Sequence, residues 1–364
     1  MVQRATGALQ VSSASSAGPV SDGQQTESLR TITAQRPPLR LDFIKQALVH
    51  SGLDNNLASF IIRCIRDSTQ NQYERVWKTF CSYCRRFNVT CINDNTILGF
   101  FNFLLNVKQL KVATLISYRS ALIDPLNFGF NYNVNNILLN KLLKGMANSF
   151  PSVPTRAPDW NLNKVLKYIS DNSKSNNIYF NAQKVLFLTS IALGNRISEL
   201  FALRRGNNFL KKLPNGSLRI YSDPLFLAKN ENPLKRRGPV IISPFDNSIS
   251  DKSLCPVRAI EKYLRLTRHS NHNQLFVHPK FLNKWNISGM RLAIIRLIRK
   301  SQPQSFPRCL DLRQFALSLA FYNEMEMDDL LNAVGWKTSF VFIKHYLQNI
   351  EKLRYKISSI NKLI

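Results

Sequence analysis

Apolar residues recur at helical spacing along most of the chain, and the strongest stripe lies in its first half. Tyr73, Val76, Trp77, Phe80, Tyr83, Cys84 and Phe87 line one face of a helix expected over 68–88. Arg75, Lys78, Arg85 and Arg86 fall on the other face. A second helix, capped by Asn93 or Asp94, carries Ile97, Phe100, Phe101, Leu104 and Leu105. A third covers 112–123 and is expected to end at Asp124 and Pro125, because proline disfavours helical geometry in the residue before it. A fourth spans about 134–147, and a shorter stretch near Leu41 includes Phe43, Ile44, Ala47 and Leu48. This pattern predicts a small all-helical domain over 39–148.

The flanking segments lack such periodicity. Residues 1–38 are rich in Ser, Gln, Gly and Thr, ending at Pro37 and Pro38, and are expected to be a disordered tail. Residues 149–158 hold Pro151, Pro154 and Pro158 and read as an extended linker. A second domain, 159–350, then opens on a cap at Asp159 or Asn161, followed by Leu162, Val165, Leu166 and Ile169 at helical spacing. The run from Val185 to Leu193 is apolar on every side, which marks a central buried helix, and Gly194 ends it. Short β-prone runs follow at Leu218, Ile220, 225–227 and 240–242. Cys255 to Leu264 and Met290 to Lys300 read as helices, the latter basic. Near the end, Leu312, Phe315, Ala316 and Leu319 predict a buried helix, with Arg313 off the apolar stripe. Leu330, Leu331 and Val334 form a short helix stopped by Gly335, and Phe340, Ile343 and Leu347 form one side of another. The expected fold class is mainly α with a small β-sheet (α+β). Residues 351–364 are a C-terminal tail with Leu353, Ile357, Ile360 and Ile364 on one face. That face suits packing on its own domain or on a neighbouring protomer.

Charge narrows the partners. The chain of 364 residues carries 50 Lys plus Arg against 22 Asp plus Glu, a formal net charge of +28. Such an excess favours a polyanion, because each phosphate neutralised releases counterions. The basic residues are spread along the chain, which argues for folded basic surfaces rather than one basic arm. No apolar run approaches the length of a membrane-spanning helix, and the N-terminus lacks a signal-peptide core. The six cysteines then do not read as a disulfide framework. Cys81 and Cys84 form a lone C-x-x-C inside a helix, without a second pair to complete a zinc site, and read as buried thiols.

Gly194, Arg196, Glu199 and Leu200 reproduce the spacing Gly-x-Arg-x-x-Glu-Leu. Arg313, the pair Gly335 and Trp336, and Tyr346 follow in order. Ser68, Thr69 and Tyr73, and the run Tyr118 to Leu122, lie upstream. Together these resemble the tyrosine recombinase (phage integrase) family, and the segments around Ser318 and Tyr346 look most like recombinases of retroelements and related insect viruses. The resemblance implies a helical core-binding domain ahead of a catalytic domain, double-stranded DNA as partner, and a homo-oligomer, commonly a tetramer, on DNA. It implies no cofactor and no metal, and action on the DNA of a eukaryotic nucleus or within a virion. One position departs from the family: Leu310 stands where the family carries a histidine.

The chemistry explains why those residue types belong together. A tyrosine phenol, with a pKa near about 10, needs cationic neighbours to act as a nucleophile. Two arginines, Arg196 and Arg313, offer paired donors to phosphate oxygens and stabilise a pentavalent transition state. Tyr346 would then form a 3′-phosphotyrosine ester, conserving bond energy without a nucleotide. The family's hairpin lysine corresponds to Lys229, with Lys235 as competitor; it would protonate the leaving oxygen. Glu199 would orient the donors, and Trp336 can give its indole N–H to phosphate. Arg85, Arg86, Arg119, Lys235, Arg236 and Arg237 are candidate DNA contacts, or simply solvated helix and loop faces. Leu310 leaves two readings open: a strand-exchange enzyme with rerouted acid–base chemistry, and a recombinase-like DNA-binding protein impaired in cleavage. A general RNA-binding protein would explain the charge but not the motif order.

Overall fold

The computed structural model describes residues 22–151, 159–229, 231, 234, 236–245 and 252–347. The chain divides into two compact units, with the boundary between Pro154 and Thr155.

The first unit is helical. It comprises α1 (Asp22–Thr33), α2 (Arg40–His50), α3 (Asn55–Ile61), α4 (Asp67–Arg86), α5 (Asp94–Asn106), α6 (Val112–Phe130) and α7 (Ile137–Ser149). Its core is aromatic: Trp77, Phe80, Phe100, Phe101 and Phe130 are fully buried, and Phe80 meets Phe100 edge-on at 5.1 Å. Asn93 caps α5 by accepting from the Thr96 N–H. Cys81 and Cys84 lie inside this core, where burial pushes both thiols well above their usual range.

Two expectations are corrected here. Residues 22–33 are not disordered: α1 buries Leu29 and Ile32, three positions apart, against the core. Its overall polarity hid a single apolar contact line. Helix α6 does not stop at Asp124 but runs through Pro125 to Phe130. A proline at 125 cannot donate to the carbonyl of Ala121. Arg40 Nε takes that carbonyl instead at 2.9 Å, while Arg40 Nη2 pairs with Asp124 at 2.9 Å. A buried arginine thus supplies the hydrogen bond that proline removes. Arg40→Met should destabilise this unit by about 2–4 kcal/mol, because it leaves a buried carbonyl without a donor and a carboxylate without its partner. Urea unfolding followed by Trp77 fluorescence would measure the loss.

The second unit holds α8 (Leu162–Asp171), α9 (Ile178–Leu193), α10 (Ile197–Ala202), β1 (Leu210–Lys212), β2 (Leu218–Ile220), β3 (Val240–Ile242), α11 (Pro256–Leu266), α12 (Ile287–Ser301), α13 (Cys309–Tyr322), α14 (Met327–Val334) and α15 (Ser339–His345). Asn161 caps α8. As its sequence predicts, α9 is buried on all sides from Phe180 to Leu193; α11, α12 and α13 pack around it, and α8 packs on α12. The three strands form one antiparallel sheet in the order β1-β2-β3, with Arg219 opposite Lys211 on one side and Ile241 on the other. Residues 225–227 do not form the expected strand; they lie in a turn and loop, and Leu225 is 90% exposed. Strand β1, polar and short, carried no β signal.

A small satellite core completes this unit. Leu317, Ala320, Leu330, Val334 and Phe342 gather α13, α14 and α15, and Trp336 and Tyr346 pack on its edge.

Candidate active site

The site is built where α9 gives way to α10. Gly194 ends α9 at φ +58°, a left-handed conformation that favours glycine, and a Cβ there would lie 3.0 Å from the Leu317 side chain. The chain then turns so that Arg196 precedes α10 and Glu199 occupies its first turn. Glu199 Oε2 accepts the Arg196 backbone N–H at 2.9 Å, and Oε1 accepts Arg196 Nη1 at 2.9 Å. A carboxylate at a helix N-terminus is favourable on both counts.

Glu199 is also the meeting point of two further arginines. Arg313 on α13 reaches Oε2 with Nη1 at 3.5 Å, and Arg237, ahead of β3, reaches Oε1 with Nη2 at 3.2 Å. Three guanidinium groups therefore share one buried carboxylate. Arg237 is held further by Glu231, whose Oε1 accepts from Nε at 2.8 Å. These five side chains carry one positive charge in excess.

Arg313 is the most constrained of them. It is 3% exposed, and its Nε and Nη2 have no hydrogen-bond partner among the described residues. The rings of Trp336 and Tyr346 stand beside its Cζ, at 5.3 and 5.5 Å. Burial brings its pKa down to about 10, against the opposing pull of Glu199. Arg237 goes the other way: burial disfavours its charge, but Glu199 and Glu231 outweigh that and hold its pKa above the usual value.

Tyr346 is fixed from two sides. Its ring packs on Trp336 at 4.7 Å between centroids. Its carbonyl accepts from Ser318 Oγ at 2.9 Å, and the preceding carbonyl, of His345, accepts from Gln314 Nε2 at 2.9 Å. Gln314 and Ser318 are one turn apart on α13, so one helix face satisfies the free carbonyls at the end of α15. Trp336 follows Gly335, whose φ of +67° ends α14 in the left-handed region.

The structure thus brings together Arg196, Glu199, Arg313, Trp336 and Tyr346. Lys229 lies on the exposed turn after Ala228 and makes no hydrogen bond or ion pair among the described residues. Lys235 and the tail 351–364 lie outside the described residues. Arg237, expected as a surface DNA contact, is instead half-buried in the cluster. Arg236 turns back to the carbonyl of Pro224. In the first unit, Arg85 donates to the carbonyls of Thr33 and Ala34 at the end of α1, Arg86 lies over the Phe87 ring, and Arg119 bonds Asn140. Glu231 was not singled out from the sequence. Its signal was available: it is the lone acid between Lys229 and Gly238.

An open groove of about 1080 Å³ flanks the cluster on the Glu199 and Arg237 side. Asp223, Glu231, Glu324, Glu326 and Asp329 line it, which makes it unsuited to a phosphate, and neither Arg313 nor Tyr346 lines it. Among the described residues no group of three or more His, Cys, Asp or Glu is placed to hold a metal ion. No described helix is long and apolar enough to cross a membrane.

No protein-family model matches the sequence, and no curated protein matches it. Solved structures do match. The XerH site-specific recombinase bound to palindromic difH substrate, in a post-cleavage complex, aligns with a TM-score of 0.58 at 14% identity over 91% of this chain and 94% of that one. The Tn1549 transposon integrase in complex with transposon right end DNA aligns with a TM-score of 0.53 at 12% identity over 89% of this chain and 98% of that one. The chain has the tyrosine recombinase fold.

Within this recombinase fold, Leu310 is 47% exposed on the first turn of α13, three residues ahead of the buried Arg313. His345, beside Tyr346, is exposed at the end of α15, and its backbone carbonyl accepts from Gln314.

Proposed function

We propose that this chain is a site-specific DNA recombinase or integrase that breaks and rejoins DNA through a phosphotyrosine. One observation carries the reading: Arg313 keeps Nε and Nη2, the edge that binds an anion with two parallel hydrogen bonds, unpartnered in a buried setting beside a tyrosine ring. Buried donors are ordinarily satisfied. Two such donors, held by a carboxylate behind them, suit a tetrahedral oxyanion in front. A fold shared with recombinases solved on DNA supports the same reading.

The chain's own residues divide the work as follows. Arg313 and Arg196 neutralise the non-bridging oxygens and favour the Tyr346 phenolate, whose proton passes to water. Tyr346 Oη attacks phosphorus; the new O–P bond forms as the bond to the 5′ oxygen breaks. Lys229 Nζ gives that oxygen its proton, leaving a 5′-hydroxyl and a 3′-phosphotyrosine. Glu199 fixes the angle between the two guanidinium groups, and Trp336 backs the tyrosine ring. Rejoining runs the steps in reverse, with a 5′-hydroxyl from either duplex as nucleophile. Exchange between two duplexes needs more than one such tyrosine, so the working form is a homo-oligomer on DNA.

The test is a nicked duplex, drawn from a random-sequence pool by binding to the full chain. Its nick lets the short downstream fragment that carries the new 5′-hydroxyl diffuse away, so the ester accumulates. Wild type should give a denaturant-resistant protein–DNA adduct, and Tyr346→Phe none. A wild type that binds these duplexes but yields no adduct would leave a DNA-binding protein without strand transfer.

A further inference from the structure

Lys229 poses a problem of placement. A general acid acts only within hydrogen-bond reach of the oxygen it protonates. Yet this lysine is exposed and makes no bond of its own among the described residues. Something must fix the backbone from which it reaches.

The turn that bears it is tied at both ends. The Glu231 N–H donates to the Ala228 carbonyl at 3.0 Å, and the Ala228 N–H donates to Glu231 Oε2 at 3.0 Å. Ala228 itself is 1% exposed. The same carboxylate reaches outward. Its Oε1 accepts the Arg237 side chain at 2.8 Å and the Arg237 backbone N–H at 3.3 Å. Arg237 then spans to Glu199 Oε1 at 3.2 Å and to the Ala333 carbonyl, near the end of α14, at 3.5 Å. A continuous polar path therefore runs from the root of Lys229 to the carboxylate that holds Arg196 and Arg313.

Resting on the strand-transfer reading above, we propose that Glu231 and Arg237 are positioning residues that set Lys229 against the arginine pair. Neither touches the reacting atoms. Glu231 clamps the turn, and Arg237 indexes that turn to Glu199. The direction of the titrations agrees: burial alone would raise the Glu231 pKa, but the Ala228 N–H and Arg237 hold it below the usual range. The carboxylate is therefore ionised at neutral pH, as the clamp requires.

Leaving-group chemistry separates this role from a merely structural one. A thiol has a pKa near about 8.5, so a bridging 5′ sulfur departs as thiolate without a proton donor. The experiment uses the full chain and the nicked duplex above, prepared with oxygen or sulfur at the 5′ bridging position of the bond the wild type cleaves. On the oxygen duplex, Lys229→Ala should slow adduct formation by about a hundredfold or more, the usual worth of a general acid. Glu231→Ala and Arg237→Lys should slow it by about tenfold or more, with duplex affinity unchanged. The lysine at 237 keeps a charge near Glu199 but lacks the fork that also grips Glu231, so folding is retained. On the sulfur duplex all three should return close to the wild-type rate.

Two outcomes would overturn the inference while leaving the adduct reading intact. Glu231→Ala and Arg237→Lys could remain slow on sulfur while Lys229→Ala is rescued, or Lys229→Ala could itself go unrescued. A wild type without any adduct would remove the reading beneath it. A measurement without DNA guards against misfolding: in Glu231→Ala the Ala228 amide should exchange with solvent about tenfold faster or more, while amides of α9 keep wild-type protection. Unchanged exchange at Ala228 would refute the clamp.

Discussion

Glu199→Ala should cost the second unit about 3–5 kcal/mol. The carboxylate is 5% exposed and accepts from Arg196, Arg237 and Arg313 together with one backbone N–H. Removing it leaves Arg196 and the almost wholly buried Arg313 without an anion, and leaves Arg237 with Glu231 alone. It also removes the acidic residue from the first turn of α10, worth about 0.3–1 kcal/mol more. Glu199→Gln keeps one carbonyl oxygen but no charge, and should fall between wild type and alanine. Urea unfolding of the full chain, followed by tryptophan fluorescence, measures both. A loss below about 1 kcal/mol for the alanine variant would mean that the cluster is not held by this carboxylate.

Arg313→Met should have the opposite profile. Adduct formation should fall by about a hundredfold or more, the usual cost of removing a preorganised oxyanion donor. Stability should be kept or raised. Burial depresses this guanidinium to about 10, so holding it charged opposes folding. The sign follows from proton binding: the unfolded chain holds this proton more tightly, so the penalty is fully present at neutral pH and fades as pH rises above about 10. Methionine fills a similar volume without that penalty, and Glu199 keeps Arg196 and Arg237 as partners. The loss of the ring contacts with Trp336 and Tyr346 offsets part of the gain. A protein that becomes more stable when it loses activity carries its strain for function. If Arg313→Met were strongly destabilised, this arginine would be a structural ion-pair partner instead.

The contrast between these two variants shows what the sequence could and could not convey. Helices were legible where one apolar face repeats, as in α4 and α13, or where a long run is apolar on every side, as in α9. The set Arg196, Glu199, Arg313, Trp336 and Tyr346 was legible too, because its order and spacing resemble a family's motifs. What stayed hidden depends on contacts between distant residues. Nothing local says that Arg40 replaces the hydrogen bond Pro125 removes, 85 positions away by number. Nothing local says that Arg237 leaves the run of basic residues 235–237 and turns inward. A basic run reads the same whether it faces solvent or a buried acid. The distinguishing clue, Glu231, lies six residues earlier, and only a folded loop brings the two together. α1 was missed for a related reason: Leu29 and Ile32 are too few to signal a helix, yet enough to dock one.

Strand transfer requires that Tyr346, held beside Arg313, be the group that takes phosphorus. Mass spectrometry of a protease digest of the trapped protein–DNA adduct tests this most directly. The nucleotide mass should lie on the peptide containing Tyr346, at its phenolic oxygen, and on no other side chain. An adduct mapped to a different residue, or its persistence at full yield in Tyr346→Phe, would contradict it.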